Sequence, residues 1–319
     1  GLYYSVAFND YLNVGHPSLV RSGDREKQKE YNNVVIQQLT ELWTRYGKLF
    51  EIWFDGGCLP VEQGGPDVAG LLRRLQPDAV VFQGPEGTKS LVRWCGNERA
   101  ENSEDCSSIY SYENTDSDGT IDLLELGRGD TNGKDWCPAE CDTPNRDPKK
   151  SFSGGWFWKE GEEDAVFPAS VLFERYLKSV GRNGNLLVGM AIDKDGRFPE
   201  KDMGEFQKCG EKIRGIFAKP LSEDFVRTGE YSYEISLPEW TEEKAGYVCV
   251  GEDITKGERI TGYVLTAYDS AGREIFRHEG RIISHKRILA VPEGTARARL
   301  EIISSKAPVQ LRFFHLCRG

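Results

Sequence analysis

Leu49-Phe-Glu-Ile-Trp-Phe-Asp55-Gly-Gly57 is a run of aromatic and β-branched residues that stops on an acid and two glycines. Such a run, short and without polar interruption at its centre, is a buried strand. Upstream, Tyr31, Val34, Val35, Leu39, Leu42, Trp43 and Tyr46 recur at helical spacing within 25–46, and Gly47 closes the pattern. Ahead of that helix, Gly1-Leu-Tyr-Tyr-Ser-Val6 reads as another strand. Strand, helix and strand without a hairpin turn require the two strands to run parallel. The rhythm continues with a helix over 67–75, a strand over 79–83, a helix over 169–180, a strand over 185–188 and a helix over 199–217. This alternation predicts part of a (β/α)8, TIM-type barrel.

Beyond Pro220 the period changes. Ile260, Gly262, Val264, Thr266 and Tyr268 alternate with their neighbours, as do Ala298, Leu300 and Ile302, and then Val309, Leu311 and Phe313. A period of two with no further helical pattern predicts an all-β C-terminal sandwich. The expected division is therefore 1–221 for the barrel portion and 222–319 for the sandwich. Between the two patterns, 113–155 is rich in Gly, Asp, Asn and Pro. It reads as one long loop, and loops of that length in compact domains are usually functional.

The 319 residues carry 41 Lys and Arg against 51 Asp and Glu, a net charge of −10. This balance excludes phosphate-backbone binding and a polybasic membrane contact, both of which need clustered cations. No stretch approaches the roughly 18 consecutive apolar residues of a membrane span. The eight cysteines (58, 95, 106, 137, 141, 209, 249 and 317) form no Cys-x-x-Cys pair, and four histidines are a poor supply for zinc. Buried free thiols are one reading; disulfides of a secreted or periplasmic protein are the other.

Asp55, at the carboxyl end of its strand, stands where catalytic groups of parallel barrels are found. A second acid, Glu140, lies in Trp136-Cys-Pro-Ala-Glu-Cys-Asp142, shortly before Gly155-Trp-Phe-Trp158. Among indoles it would be desolvated and suited to donate a proton. Two carboxyls in contrasting surroundings are what glycosidic cleavage requires, and tryptophans offer flat faces to sugar rings. The same residues also fit an aspartate that caps a loop and aromatics that fill a core.

Taken together, Gly1-Leu-Tyr-Tyr-Ser5, Glu51-Ile-Trp-Phe-Asp-Gly-Gly57, Arg93-Trp-Cys-Gly-Asn-Glu98, Trp136-Cys-Pro-Ala-Glu140, Gly155-Trp-Phe-Trp158 and Ser179-Val-Gly-Arg-Asn-Gly-Asn-Leu-Leu187 resemble a family 29 glycoside hydrolase, an α-L-fucosidase. The Trp-x-Pro-Ala-Glu and Arg-Trp-x-Gly-Asn-Glu forms resemble the subfamily acting on α-1,3 and α-1,4 fucose of Lewis-type glycans. The resemblance implies a retaining exo-enzyme that needs no cofactor, with Asp55 as nucleophile and Glu140 as general acid and base. It also implies that Tyr4, Trp53, Arg93, Glu98 and Trp156 bind the sugar. The competing expectations are a broad α-1,2 or aryl fucosidase and a non-catalytic fucose-binding protein.

Two departures stand out. The span 143–155 is longer than the family's and lacks its Ile-Arg-Pro-Gly approach to the tryptophan, and Leu187-Val-Gly-Met-Ala-Ile192 replaces the usual Leu-Leu-Asn-Ile-Pro-Pro. The family's paired histidines are also missing; His16, His278, His285 and His315 do not stand in that motif. Because the barrel reading starts at what resembles a third strand, a separate N-terminal segment carrying the first two is an expected partner, beside the fucosylated glycan. Finally, Asn114-x-Asp116-x-Asp118-Gly119 through Asp122 to Glu125 has the spacing of an EF-hand loop, so calcium is one reading of the stretch and a solvated acidic loop is the other.

Overall fold

The computed structural model describes residues 1–5, 25–55, 61–85, 87–111 and 123–319. Most of the acidic stretch between Asn114 and Glu125 therefore lies outside the described residues, as do Cys58 and the two glycines after Asp55. The chain divides into two compact units.

The first unit comprises 1–94, 109–122 and 132–138. Its strands β1 (Leu2–Ser5), β2 (Glu51–Asp55), β3 (Val80–Phe82) and β4 (Leu91–Trp94) lie side by side in that order. The pairings of β1 with β2, β2 with β3 and β3 with β4 are all parallel; the strand–helix–strand pattern requires it of the first two, while β3 and β4 are joined with no helix among the described residues between them. Helix α1 (Arg25–Arg45) buries Tyr31, Val35, Leu39 and Trp43, the stripe read from the 3.6-residue period. Trp43 meets Phe54 of β2 edge-on, with ring centroids 6.3 Å apart. Helix α2 (Val68–Leu75) starts at Asp67, whose carboxylate accepts the Gly70 amide at 2.8 Å, one of the amide groups a helix start leaves without a partner. After it, buried Gln76 donates to the carbonyls of Trp43 and Gly47 and accepts the Leu49 amide, pinning the end of α1 to the start of β2. A two-strand pair, β5 (Ile109–Tyr110) with β6 (Asp135–Trp136), completes this unit.

The second unit comprises 95–108, 123–131 and 139–319. Helix α3 (Leu123–Arg128) and strand β7 (Ala139–Pro144) interrupt the expected 113–155 loop. β7 pairs in parallel with β8 (Asn185–Gly189), and helices α4 (Ala169–Ser179) and α5 (Glu200–Phe217) follow the predicted bounds closely. Every residue of β7 is buried. Its sequence, Ala-Glu-Cys-Asp-Thr-Pro, has too few apolar side chains to show a period.

A buried ion pair holds the chain just beyond β7. The Arg146 guanidinium meets both oxygens of Asp202 on α5 at 2.9 Å, and Asn145 donates to the same carboxylate at 2.7 Å. Bidentate geometry and a third donor are what make such a desolvated pair tolerable.

The last strands form the antiparallel sandwich. One sheet has the order β13 (Glu274–Gly280), β12 (Ile260–Tyr268), β15 (Arg297–Ser305), β10 (Ser232–Ser236) and β9 (Val226–Arg227). The other has β14 (Arg287–Thr295), β11 (Ala245–Glu252) and β16 (Leu311–Arg318). Tyr233, Ile235, Val248, Val250, Leu265, Leu300 and Phe314 are among the side chains of the two sheets that fill one core. Helices α4 and α5 bring Leu172, Phe173, Cys209 and Ile216 against Cys249, Ile288 and Cys317. All seven described cysteines are buried thiols, so that reading holds for them.

Two acids sit inside this unit. Glu252 is 1% exposed and accepts the amides of Arg259, Ile260 and Ser284; Glu258 accepts the Ser107 hydroxyl and the Ser108 amide. Burial, opposed by the three amides and reinforced by the charge of Glu258, pushes the Glu252 carboxyl up to about 7 from 4.5. A carboxyl raised on folding binds its proton more tightly in the native state. The stability it lends is therefore full below pH 4.5, is lost as pH rises from there to about 7, by up to about 3 kcal/mol, and stays level above. Urea unfolding from pH 5 to 8 is expected to show this loss in the parent and to lack that component in Glu252→Gln; equal pH slopes would refute it.

Candidate active site

Parallel register decides which side chains accompany Asp55. Tyr3 pairs with Trp53, Tyr4 with Phe54 and Ser5 with Asp55. Because side chains alternate, Tyr3, Trp53 and Asp55 share one face, while Tyr4 and Phe54 share the other. The Tyr3 hydroxyl donates to Asp55 Oδ2 at 2.5 Å. Partial burial, the bond to Asp55 and the charge of that carboxylate all push the Tyr3 phenol well above its ordinary range, so it stays a donor. Tyr3 stacks on Trp53 with centroids 5.5 Å apart, and Trp53 stacks on Phe82 at 3.9 Å. Three strands thus contribute one aromatic row beside an exposed carboxylate.

Tyr4, the tyrosine carried over from the resemblance, donates its hydroxyl to Gln38 on α1. Tyr3 is the residue that sequence reasoning missed. Counting by two from Asp55 to Trp53, then across the parallel pair, would have found it. Arg93 is 2% exposed; it donates to the Cys137 carbonyl and lies over the Tyr110 ring, 5.6 Å from its centroid.

In the second unit, Glu98 is exposed and its Oε2 accepts the Trp156 indole N–H at 3.1 Å. Glu140, the second residue of β7, is 1% exposed and accepts the Asn185 side-chain amide at 2.7 Å. Trp156 is half-buried, and its neighbour Phe157 is exposed.

A carboxylate thus stands beside stacked aromatics at the carboxyl end of a parallel strand. The family model for α-L-fucosidase matches residues 1–214. The chain belongs to the α-L-fucosidase family. It is 34% identical over 202 residues to α-L-fucosidase 1 of Arabidopsis thaliana, a match covering 61% of this chain and 37% of the relative. The chain thus spans little more than a third of that relative's length.

Among solved structures, a Bacteroides thetaiotaomicron protein named as an α-L-fucosidase gives a TM-score of 0.86 at 30% identity, covering 100% of this chain and 72% of the other. A family 29 fucosidase of Ruminococcus gnavus, solved in complex with fucose, gives 0.72 at 19% identity, covering 99% and 71%. At that identity the likeness is one of fold alone. The fold is that of family 29: a TIM-like parallel β/α portion and a β-sandwich.

Proposed function

We propose that the protein is a retaining exo-α-L-fucosidase that releases terminal α-1,3- or α-1,4-linked fucose from Lewis-type glycans. Family membership supports the chemistry, and the single observation that carries it to residues is Asp55, exposed at the end of β2 with Tyr3 and Trp53 on its face. In this reading an Asp55 oxygen attacks the anomeric carbon while the glycosidic C–O bond breaks and the leaving oxygen takes a proton from a carboxylic acid. The resulting fucosyl ester is then cleaved by water, which yields its proton to the same, now ionised, carboxyl. The Tyr3 hydroxyl orients the Asp55 carboxylate, leaving its other oxygen to attack.

Two carboxyls are candidates for the proton donor. The resemblance assigns the role to Glu140. A general acid and base must touch the glycosidic oxygen and then a water, however, and a side chain 1% exposed reaches neither without movement. Glu98, held by the Trp156 indole, is exposed, so burial does not bar it from the role, and we favour it, with Glu140 as the second reading.

The linkage rests on the sequence forms around Glu98 and Glu140. Comparing a Lewis trisaccharide, 2'-fucosyllactose and an aryl fucoside tests it. The trisaccharide is expected to be hydrolysed with the highest kcat/KM; a preference for 2'-fucosyllactose or the aryl fucoside would point to the broad enzyme, and no turnover of any to a binding protein.

A further inference from the structure

The geometry points to Gly189 as a positioning residue for the site: by lacking a side chain it seats the Trp156 ring, so that the indole N–H is aimed at Glu98. Three observations converge on this ring. A β-carbon at Gly189, the last residue of β8, would fall 2.3 Å and 2.4 Å from two carbons of the six-membered ring of Trp156, closer than real contacts allow. The indole N–H donates to Glu98 Oε2 at 3.1 Å, on a separate segment.

The backbone leading to the ring is itself constrained. Ser153, Gly154 and Gly155 all take positive φ, at 47°, 68° and 86°, and a β-carbon at Gly155 would lie 2.7 Å from the Arg146 carbonyl oxygen. A left-handed run whose last glycine has no room for a side chain fixes the angle at which the chain enters Trp156. Arg146 is in turn locked by its two bonds to Asp202. The ring therefore has a fixed approach, a floor at Gly189 and a polar tether at Glu98. An aromatic held this way meets a sugar face without first losing its own freedom, and it restrains the carboxylate it touches.

The test has one arm independent of catalysis. The chain has seven tryptophans, so the Trp156 indole signal of 15N-labelled protein is identified by its loss in Trp156→Phe. In Gly189→Ala that signal is expected to shift, broaden and exchange faster with water. Glu98→Leu should do the same, and Glu98→Gln, which keeps an acceptor, should restore most of the parent signal. A Trp156 signal unchanged in Gly189→Ala overturns the proposal.

The second arm rests on the fucosidase reading. Gly189→Ala is expected to raise KM for an oligosaccharide fucoside about tenfold in the parent and no more than about twofold in a Trp156→Ala background, because coupled residues are not additive. Equal effects in both backgrounds overturn the proposal. If Gly189→Ala fails to fold, the double variant, with the ring gone, should fold like Trp156→Ala; a double variant that also fails would place the role of Gly189 elsewhere. Should the parent turn over no fucoside, the functional reading falls and the indole signal still decides the role of Gly189.

Discussion

Asp55→Ala should lower fucoside hydrolysis by about 10⁴-fold or more, the scale on which enzymes lose a covalent nucleophile. The side chain is exposed, so the fold has little to lose; among the described residues the Tyr3 hydroxyl gives up a partner, and it can turn to water. Thermal unfolding should stay close to the parent's. The loss then reads as chemistry and not as folding.

Added azide sharpens the result. With the carboxylate gone, azide can enter the space it occupied and attack the anomeric carbon directly, a single displacement that inverts the sugar. The expected product is β-L-fucosyl azide, read by NMR. Turnover near the parent rate, or an α-fucosyl azide from this variant, would remove Asp55 from the role.

The second large effect separates the two candidate acids. If Glu98 donates the proton, Glu98→Ala should slow hydrolysis of an oligosaccharide by about 10²- to 10⁴-fold. It should spare the first step on an aryl fucoside whose leaving group needs no proton. Azide should then intercept the fucosyl ester on Asp55 and give α-L-fucosyl azide, since two inversions retain the configuration.

For Glu140→Ala the expectation differs. The change empties a buried place in β7, while the Asn185 amide, exposed at the start of β8, can turn to water, so the main effect should be on unfolding. Rescue by azide in Glu140→Ala and none in Glu98→Ala would reverse the assignment and restore the reading taken from the resemblance.

Much of this is legible in the sequence. Arg25 to Tyr46 shows its stripe, and Glu51 to Asp55 its apolar run, because both elements meet water on one side or not at all and their composition says so. The sandwich is legible for the same reason: Tyr233 and Ile235 point inward while Glu234 between them is only half-buried, a period of two that packing enforces. β7 was hidden. Ala-Glu-Cys-Asp-Thr-Pro carries no apolar period, since its polar groups are satisfied by partners distant in sequence, such as Asn185, 45 positions from Glu140.

The amino-acid sequence alone determined the parallel β/α order, the change to antiparallel strands after Pro220, the family, and Asp55 as the acid that ends its strand. The family follows from its motifs, and the rest from local composition and spacing, which propensity and burial act on directly. The tertiary structure alone decided that Tyr3 and not Tyr4 reaches Asp55, because the face a side chain takes depends on the register between strands. It also decided that Glu140 is enclosed while Glu98 is open. Trp156 depends on it most of all, for the ring finds its seat on a glycine 33 positions away, in a space defined by what Gly189 lacks.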